Sequence, residues 1–175
     1  MIVDCHGHYN TEKDYARNAE RYVKYDFERP GFENTVKVFK AFEDATTVDL
    51  WVQSLDRYGV DKIVLQTAPY GGNDAVAEFV KGAPDRFVPL ANVDFFDPQG
   101  SNAVQELDRC INDLGLKGIG ELYPQIGPWD PGDEKVFPIY EKAQELGVPI
   151  MIHGGTEFGG AWNDQRFSDP YMLDP

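Results

Sequence analysis

His6 and His8 stand two residues apart in the segment IVDCHGHYN, at the end of the first apolar run of the chain. The third and last histidine of the sequence, His153, ends another apolar run, VPIMIHGG. Neutral imidazole is the commonest nitrogen ligand of a divalent metal. On a β-strand, residues i and i+2 point to one face, so His6 and His8 face the same way about 7 Å apart at Cα, and the same alternation puts Asp4 with them. A curved strand would turn two such rings onto one ion. The segment GIGELYP places Glu121 at a corresponding position. Its carboxylate reads as a metal ligand, as a general base, or as the partner of Lys117 or another basic group. Asp4 reads as an orienter of a ligand rather than as a ligand. Tyr9, Tyr123 and Arg166 are candidate substrate contacts, and Asp94 is a further polar group at a strand end. A single His-x-His is a weak signal, because surface and hydrogen-bonded core histidines are common. The weight comes from all three histidines falling at the C-terminal ends of apolar runs, where a parallel α/β sheet builds its site.

The elements that must carry these residues alternate along the chain. Apolar, β-branched runs at Met1–Cys5, Lys62–Gln66, Phe87–Val93, Leu116–Gly120 and Val148–Ile152 are short and bounded by Gly, Pro or Asp, which predicts five buried parallel strands. Helical periods lie between them. Val48, Trp51, Val52, Leu55 and Tyr58 form one stripe, with Thr47 as N-cap and Gly59 at C′. Val76, Phe79, Val80 and Ala83 form a second, stopped by Pro84. Val104, Leu107, Ile111 and Leu114 form a third, between Asp97-Pro98 and Gly115, and Val136, Tyr140, Ala143 and Leu146 a fourth, ending at Gly147. Repeated β/α units mean either an open doubly wound sheet or a (β/α)8 barrel. The first strand runs into CHGHYN, without the Gly-rich phosphate loop of a doubly wound nucleotide binder, and that favours the barrel. The connection from Tyr9 to Thr35 is long for a βα loop. Tyr15, Ala19, Tyr22 and Val23 recur in it at helical spacing, so it reads either as a helical lid over the site or as a surface excursion with no role.

Composition bounds the function. The 175 residues predict one domain, and a hydrophobic fraction of 42% is that of an ordinary globular chain. A formal net charge of -14 argues against a nucleic-acid partner, although a metal or a local Arg can reverse the potential inside a pocket. The two cysteines, Cys5 and Cys110, form neither a metal-type spacing nor a disulfide framework, which fits a reducing, cytoplasmic setting. No signal-peptide pattern opens the sequence, and no apolar run approaches the ~20 residues of a membrane span.

IVDCHGHY resembles the D-x-H-x-H opening of the amidohydrolase superfamily. LKGIGELYP, FPIYEKAQELGVPIMIHGG and RFSDPYMLDP resemble its amidohydrolase-related branch, which holds the aminocarboxymuconate-semialdehyde decarboxylase-like enzymes with several hydrolases and hydratases. The CHGHY opening is also similar to that of the oxalomesaconate hydratases. The resemblance implies a metal-dependent α/β barrel with one or two divalent ions. His6 and His8 match the strand-one ligands, His153 matches the strand-five ligand, and Glu121 falls at strand four, where some members place a metal-contacting residue. It implies zinc first, with manganese or iron as alternatives. The family pattern continues with a strand-six histidine and a strand-eight aspartate, and a full barrel takes about 250 residues. The chain therefore reads as about five strands of eight, either the N-terminal part of a longer protein or a half-barrel that closes on another copy. The expected function is hydrolysis of a small carboxylated substrate by a metal-activated water. Decarboxylation or hydration on the same scaffold, and a catalytically inactive metal-binding half-barrel, are the alternatives. The expected partners are the small-molecule substrate and a second copy of the chain, with neither nucleic acid nor membrane.

Overall fold

A computed structural model describes residues 1–9, 47–67, 72–93, 101–124, 129–155 and 165–173. The lid read from Tyr9 to Thr35 lies, beyond Tyr9 itself, outside the described residues, as do Asp94 and Asp97-Pro98. The chain divides into two compact units, Met1–Val88 and Pro89–Pro175.

The first unit runs β1 (Val3–Tyr9), α1 (Val48–Tyr58), β2 (Lys62–Thr67), α2 (Asn73–Val80) and into β3 (Phe87–Pro89), and its sheet order is β1-β2-β3. Helix α1 starts where the sequence places it. Thr47 Oγ1 accepts the Leu50 N–H at 3.4 Å, and Gly59, at φ 67°, closes the other end in the left-handed conformation that glycine adopts freely. The central strand β2 buries Ile63, Leu65, Gln66 and Thr67. Trp51 of α1, Phe79 of α2 and Phe87 of β3 pack as an aromatic cluster, with ring centroids 5.3 Å apart for Phe79 and Phe87. Arg86 ties the lower end of this unit, donating to Asp56 Oδ1 at 2.7 Å, to the Asp61 carbonyl at 2.8 Å and to the Val60 carbonyl at 2.9 Å.

Strand β1 does not stop at Cys5. It pairs in parallel with β2 through Gly7↔Leu65, His8↔Gln66 and Tyr9↔Thr67, so both histidines are strand residues. Gly7 makes this extension fit, because a Cβ there would come within 2.6 Å of Ile63 Cδ1. Between Asp4↔Ile63 and Gly7↔Leu65 the register shifts, and Cys5 with His6 opposes Val64 alone. This bulge removes the strict alternation between Asp4 and the histidines, so the expected three-residue face does not form as drawn.

The second unit runs α3 (Ser101–Asn112), β4 (Ile119–Leu122), α4 (Phe137–Leu146), β5 (Ile150–Ile152) and two 3-10 turns, Gln165–Ser168 and Pro170–Leu173. Strands β4 and β5 are parallel, with Ile119↔Ile150 and Leu122↔Ile152, and Ala91 bridges Ile119 in parallel from the other side. The expected strand 116–120 thus forms three residues later and takes in Glu121. The stripes of α3 and α4 meet the sheet as their periods require: Leu107, Val136, Ile139 and Ile119 are fully buried, with Leu122, Trp129 and Ala143 beside them. Truncating Leu107 to Ala would leave a cavity, a class of change that costs about 2–5 kcal/mol. No helix among the described residues is long and apolar enough to cross a membrane.

Candidate metal centre

The first unit supplies two imidazoles on one side of one strand. His6 Nε2 lies 2.9 Å from His8 Nε2, and the rings meet edge to face with centroids 4.9 Å apart. Two nitrogens that each sit about 2.0–2.1 Å from one ion lie about 3.0 Å apart at a right angle and about 3.4 Å apart at a tetrahedral angle. The pair is within hydrogen-bond distance, and the same spacing would suit two neighbouring ligands of one ion. His6 is exposed and His8 half-buried. Asp4 Oδ1 accepts the backbone N–H of His6 at 3.1 Å and so braces the bulge that carries the histidine. His8 is in register with Gln66, a fully buried amide at the end of β2, and the two side chains share a face. Tyr9, next along the strand, points to the other side, and its ring packs on Phe79 of α2 at 4.3 Å. The structure thus places this expected substrate contact against a core helix.

The second unit supplies a carboxylate, an imidazole and a phenol. Glu121 is buried at 4% exposure near the end of β4. Its Oε1 lies 2.6 Å from His153 Nδ1, and its Oε2 accepts the Tyr123 hydroxyl at 2.8 Å. The Tyr123 and His153 rings stack with centroids 5.1 Å apart and planes 24° apart. His153 follows β5 directly, and its backbone N–H donates to the Leu122 carbonyl at 2.8 Å. Of the three readings left open for Glu121, the partner in this unit is His153 rather than Lys117. Tyr123, expected to touch substrate, touches Glu121. Tyr123 stands two residues after Glu121, just past the end of β4. Arg166 is exposed on the first 3-10 turn, with its guanidinium 5.7 Å over the Phe167 ring.

The sequence profile of the amidohydrolase family matches residues 3–175. The chain belongs to the amidohydrolase family. It is 33% identical over 121 residues to the 2-amino-3-carboxymuconate-6-semialdehyde decarboxylase of Dictyostelium discoideum, a match that covers 60% of this chain and 33% of that protein. It is 26% identical over 186 residues to the 2-keto-4-carboxy-3-hexenedioate hydratase of Sphingobium sp., covering 87% of this chain and 52% of that one. Among solved structures it is similar to the 5-carboxyvanillate decarboxylase of Novosphingobium aromaticivorans, complexed with manganese and 4-hydroxy-3-methoxy-5-nitrobenzoic acid. There the TM-score is 0.64 at 19% identity, over 99% of this chain and 54% of that one. The amidohydrolase fold, an α/β barrel, is thereby that of the chain, as the β/α alternation predicted. The chain spans about half or less of the length of the curated relatives it matches, 52% of the hydratase and 33% of the decarboxylase. Among the described residues this amidohydrolase chain presents five strands, where the barrel is expected to have eight β/α units.

Proposed function

We propose that this chain carries ligands of a divalent-cation site in a carboxy-lyase, an enzyme that removes CO2 from a small carboxylated substrate. The observation that carries the metal reading is the 2.9 Å approach of His6 Nε2 to His8 Nε2 at the C-terminal end of β1. His153, directly after β5, is the other histidine read as a cation ligand. The reaction class is supported by the relatives, which are named as a decarboxylase and a hydratase. Hydrolysis, the first expectation from sequence, has no counterpart in those names.

The zinc expected from sequence is one candidate ion for this site. Manganese, present with the 5-carboxyvanillate decarboxylase, is the ion to test first. When bound, such an ion supplies a positive charge that draws a carboxylate toward a chain of net charge -14 and polarises it. The residues of the chain then orient the substrate. In the reaction the bond between the carboxyl carbon and its neighbour breaks, CO2 leaves, and the electron pair left on the neighbour takes up a proton. A second reading, hydration of a carbon–carbon double bond, is supported by the similarity to the hydratase over 87% of this chain.

The test is metal content and gas release together. The purified chain is equilibrated with manganese(II), its bound metal is measured by plasma spectrometry, and a panel of aromatic and unsaturated carboxylic acids is assayed for CO2. Loss of single outer partners of a metal ligand already costs about 10–100-fold in affinity, so His6→Ala with His8→Ala is expected to cost more than about 100-fold. Unchanged metal content in that double variant would sink the metal reading. Water addition to the unsaturated acids without CO2 would select the hydratase reading.

A further inference from the structure

We infer that Glu121 and Tyr123 are positioning residues that fix the tautomer and plane of His153, so that its Nε2 presents the lone pair to a cation. The inference rests on the reading of His153 as a metal ligand and gives Glu121 a role other than general base. A buried carboxylate with a donor on each oxygen is poorly placed to take a further proton. Here the Tyr123 hydroxyl donates to Oε2 at 2.8 Å, and His153 Nδ1 sits 2.6 Å from Oε1. With Glu121 accepting at Oε1 as it does at Oε2, Nδ1 carries the hydrogen, and in a neutral imidazole the other nitrogen is then the acceptor. The neutral ring is thereby held as the Nδ1–H tautomer. The second element of control is orientation. The Tyr123 ring lies 24° from parallel to the imidazole at 5.1 Å, and the backbone N–H of His153 is tied to the Leu122 carbonyl at 2.8 Å, so the end of β4 and the residue after it hold His153 by ring and by backbone. Gly120 lets β4 come this close, since a Cβ there would lie 2.7 Å from Met151 Cβ of β5. A carboxylate that grips the far nitrogen of a ligating imidazole also raises the basicity of the near one.

The experiment uses the full chain labelled with nitrogen-15. Long-range proton–nitrogen correlation on the metal-free protein reads which ring nitrogen of His153 carries the hydrogen, and calorimetry with manganese(II) reads affinity. The expected spectrum shows Nδ1 protonated in the wild type and in Glu121→Gln, whose amide oxygen still accepts, and the Nε2–H form in Glu121→Leu. Manganese affinity is expected to fall about 10–100-fold in Glu121→Leu and less than about 10-fold in Glu121→Gln. An Nε2–H tautomer in the wild type overturns the inference, and that spectrum decides alone should Glu121→Leu fail to fold. Equal losses of affinity in the Gln and Leu variants would also overturn it, because they mark the carboxylate as a direct ligand. If the wild type shows the Nδ1–H tautomer but binds no manganese, the positioning stands and the metal-dependent function fails.

Discussion

Glu121 shows how much a residue's partners add to what its type says. A carboxylate at the end of a barrel strand invites the role of general base, yet both of its oxygens are engaged, by His153 Nδ1 and by the Tyr123 hydroxyl. The candidate residues themselves were legible, because histidines are few and their positions relative to apolar runs are visible in one sequence. Their partners were less so. The hydrogen bond from Tyr123 joins near neighbours in sequence, but the pairing of Glu121 with His153 spans 32 positions and requires β4 beside β5. Tyr140 carries a residue-scale prediction outside the candidate site. Its hydroxyl donates to the Pro131 carbonyl at 2.8 Å, and burial, with the negative charge of Asp130 added, pushes its pKa from 10.0 up to about 12. The folded chain then holds the phenolic proton over a range in which the unfolded chain has lost it. The resulting stability is complete below pH 10 and declines as the pH rises from 10 through about 12. Urea titrations across that window are expected to show a steeper fall for the wild type than for Tyr140→Phe. Parallel curves would mean the phenol ionises alike in both states.

At the scale of elements, the order of strands and helices was legible and the strand ends were not. Every core helix has an unbroken apolar stripe and a readable stop, such as Gly59 after α1 or Gly147 after α4, both in the left-handed conformation. Strands carry less information, because backbone pairing rather than side-chain pattern decides where they end. CHGHY has the composition of a loop, yet Gly7 lets it pair through Tyr9, and the bulge before it is a matter of register that no single-sequence period reveals. Strand β4 makes the same point. Gly120, at φ 145°, occupies backbone space that other residues rarely enter, with Met151 of β5 packed where a Cβ would project. Gly120→Ala is expected to destabilise the second unit by about 1–3 kcal/mol, the usual cost of a side chain forced into such a conformation. Urea unfolding followed by the fluorescence of Trp129, which sits in the core of that unit, would measure it. A change below about 0.5 kcal/mol would show that β4 and β5 can separate at little cost.

At the scale of the whole molecule the dominant fact is charge: 30 Asp and Glu against 16 Lys and Arg, a formal net charge of -14. Like charges at this density oppose compaction, and the effect weakens as salt shortens the Debye length from about 30 Å at 0.01 M to about 8 Å at 0.15 M. Local ion pairs respond in the opposite sense. Lys81 with Glu78 at 2.6 Å, Arg86 with Asp56 at 2.7 Å and Lys142 with Glu145 at 2.9 Å all lose strength on screening. At least one partner of each is well exposed, and such pairs contribute about 0–1 kcal/mol apiece, so the relief of net repulsion should outweigh their loss. Sodium chloride raised from about 0.01 to 0.15 M is therefore expected to increase the melting temperature of the metal-free chain. The same field attracts cations, so on the proposed metal reading salt should weaken manganese(II) binding while it strengthens the fold. Melting curves and calorimetry at the two salt concentrations test both signs on one preparation. A melting temperature that falls with salt would show that local pairs outweigh net repulsion. Manganese affinity indifferent to salt would mean that the ligands alone, and not the field of the molecule, set how tightly the ion is held.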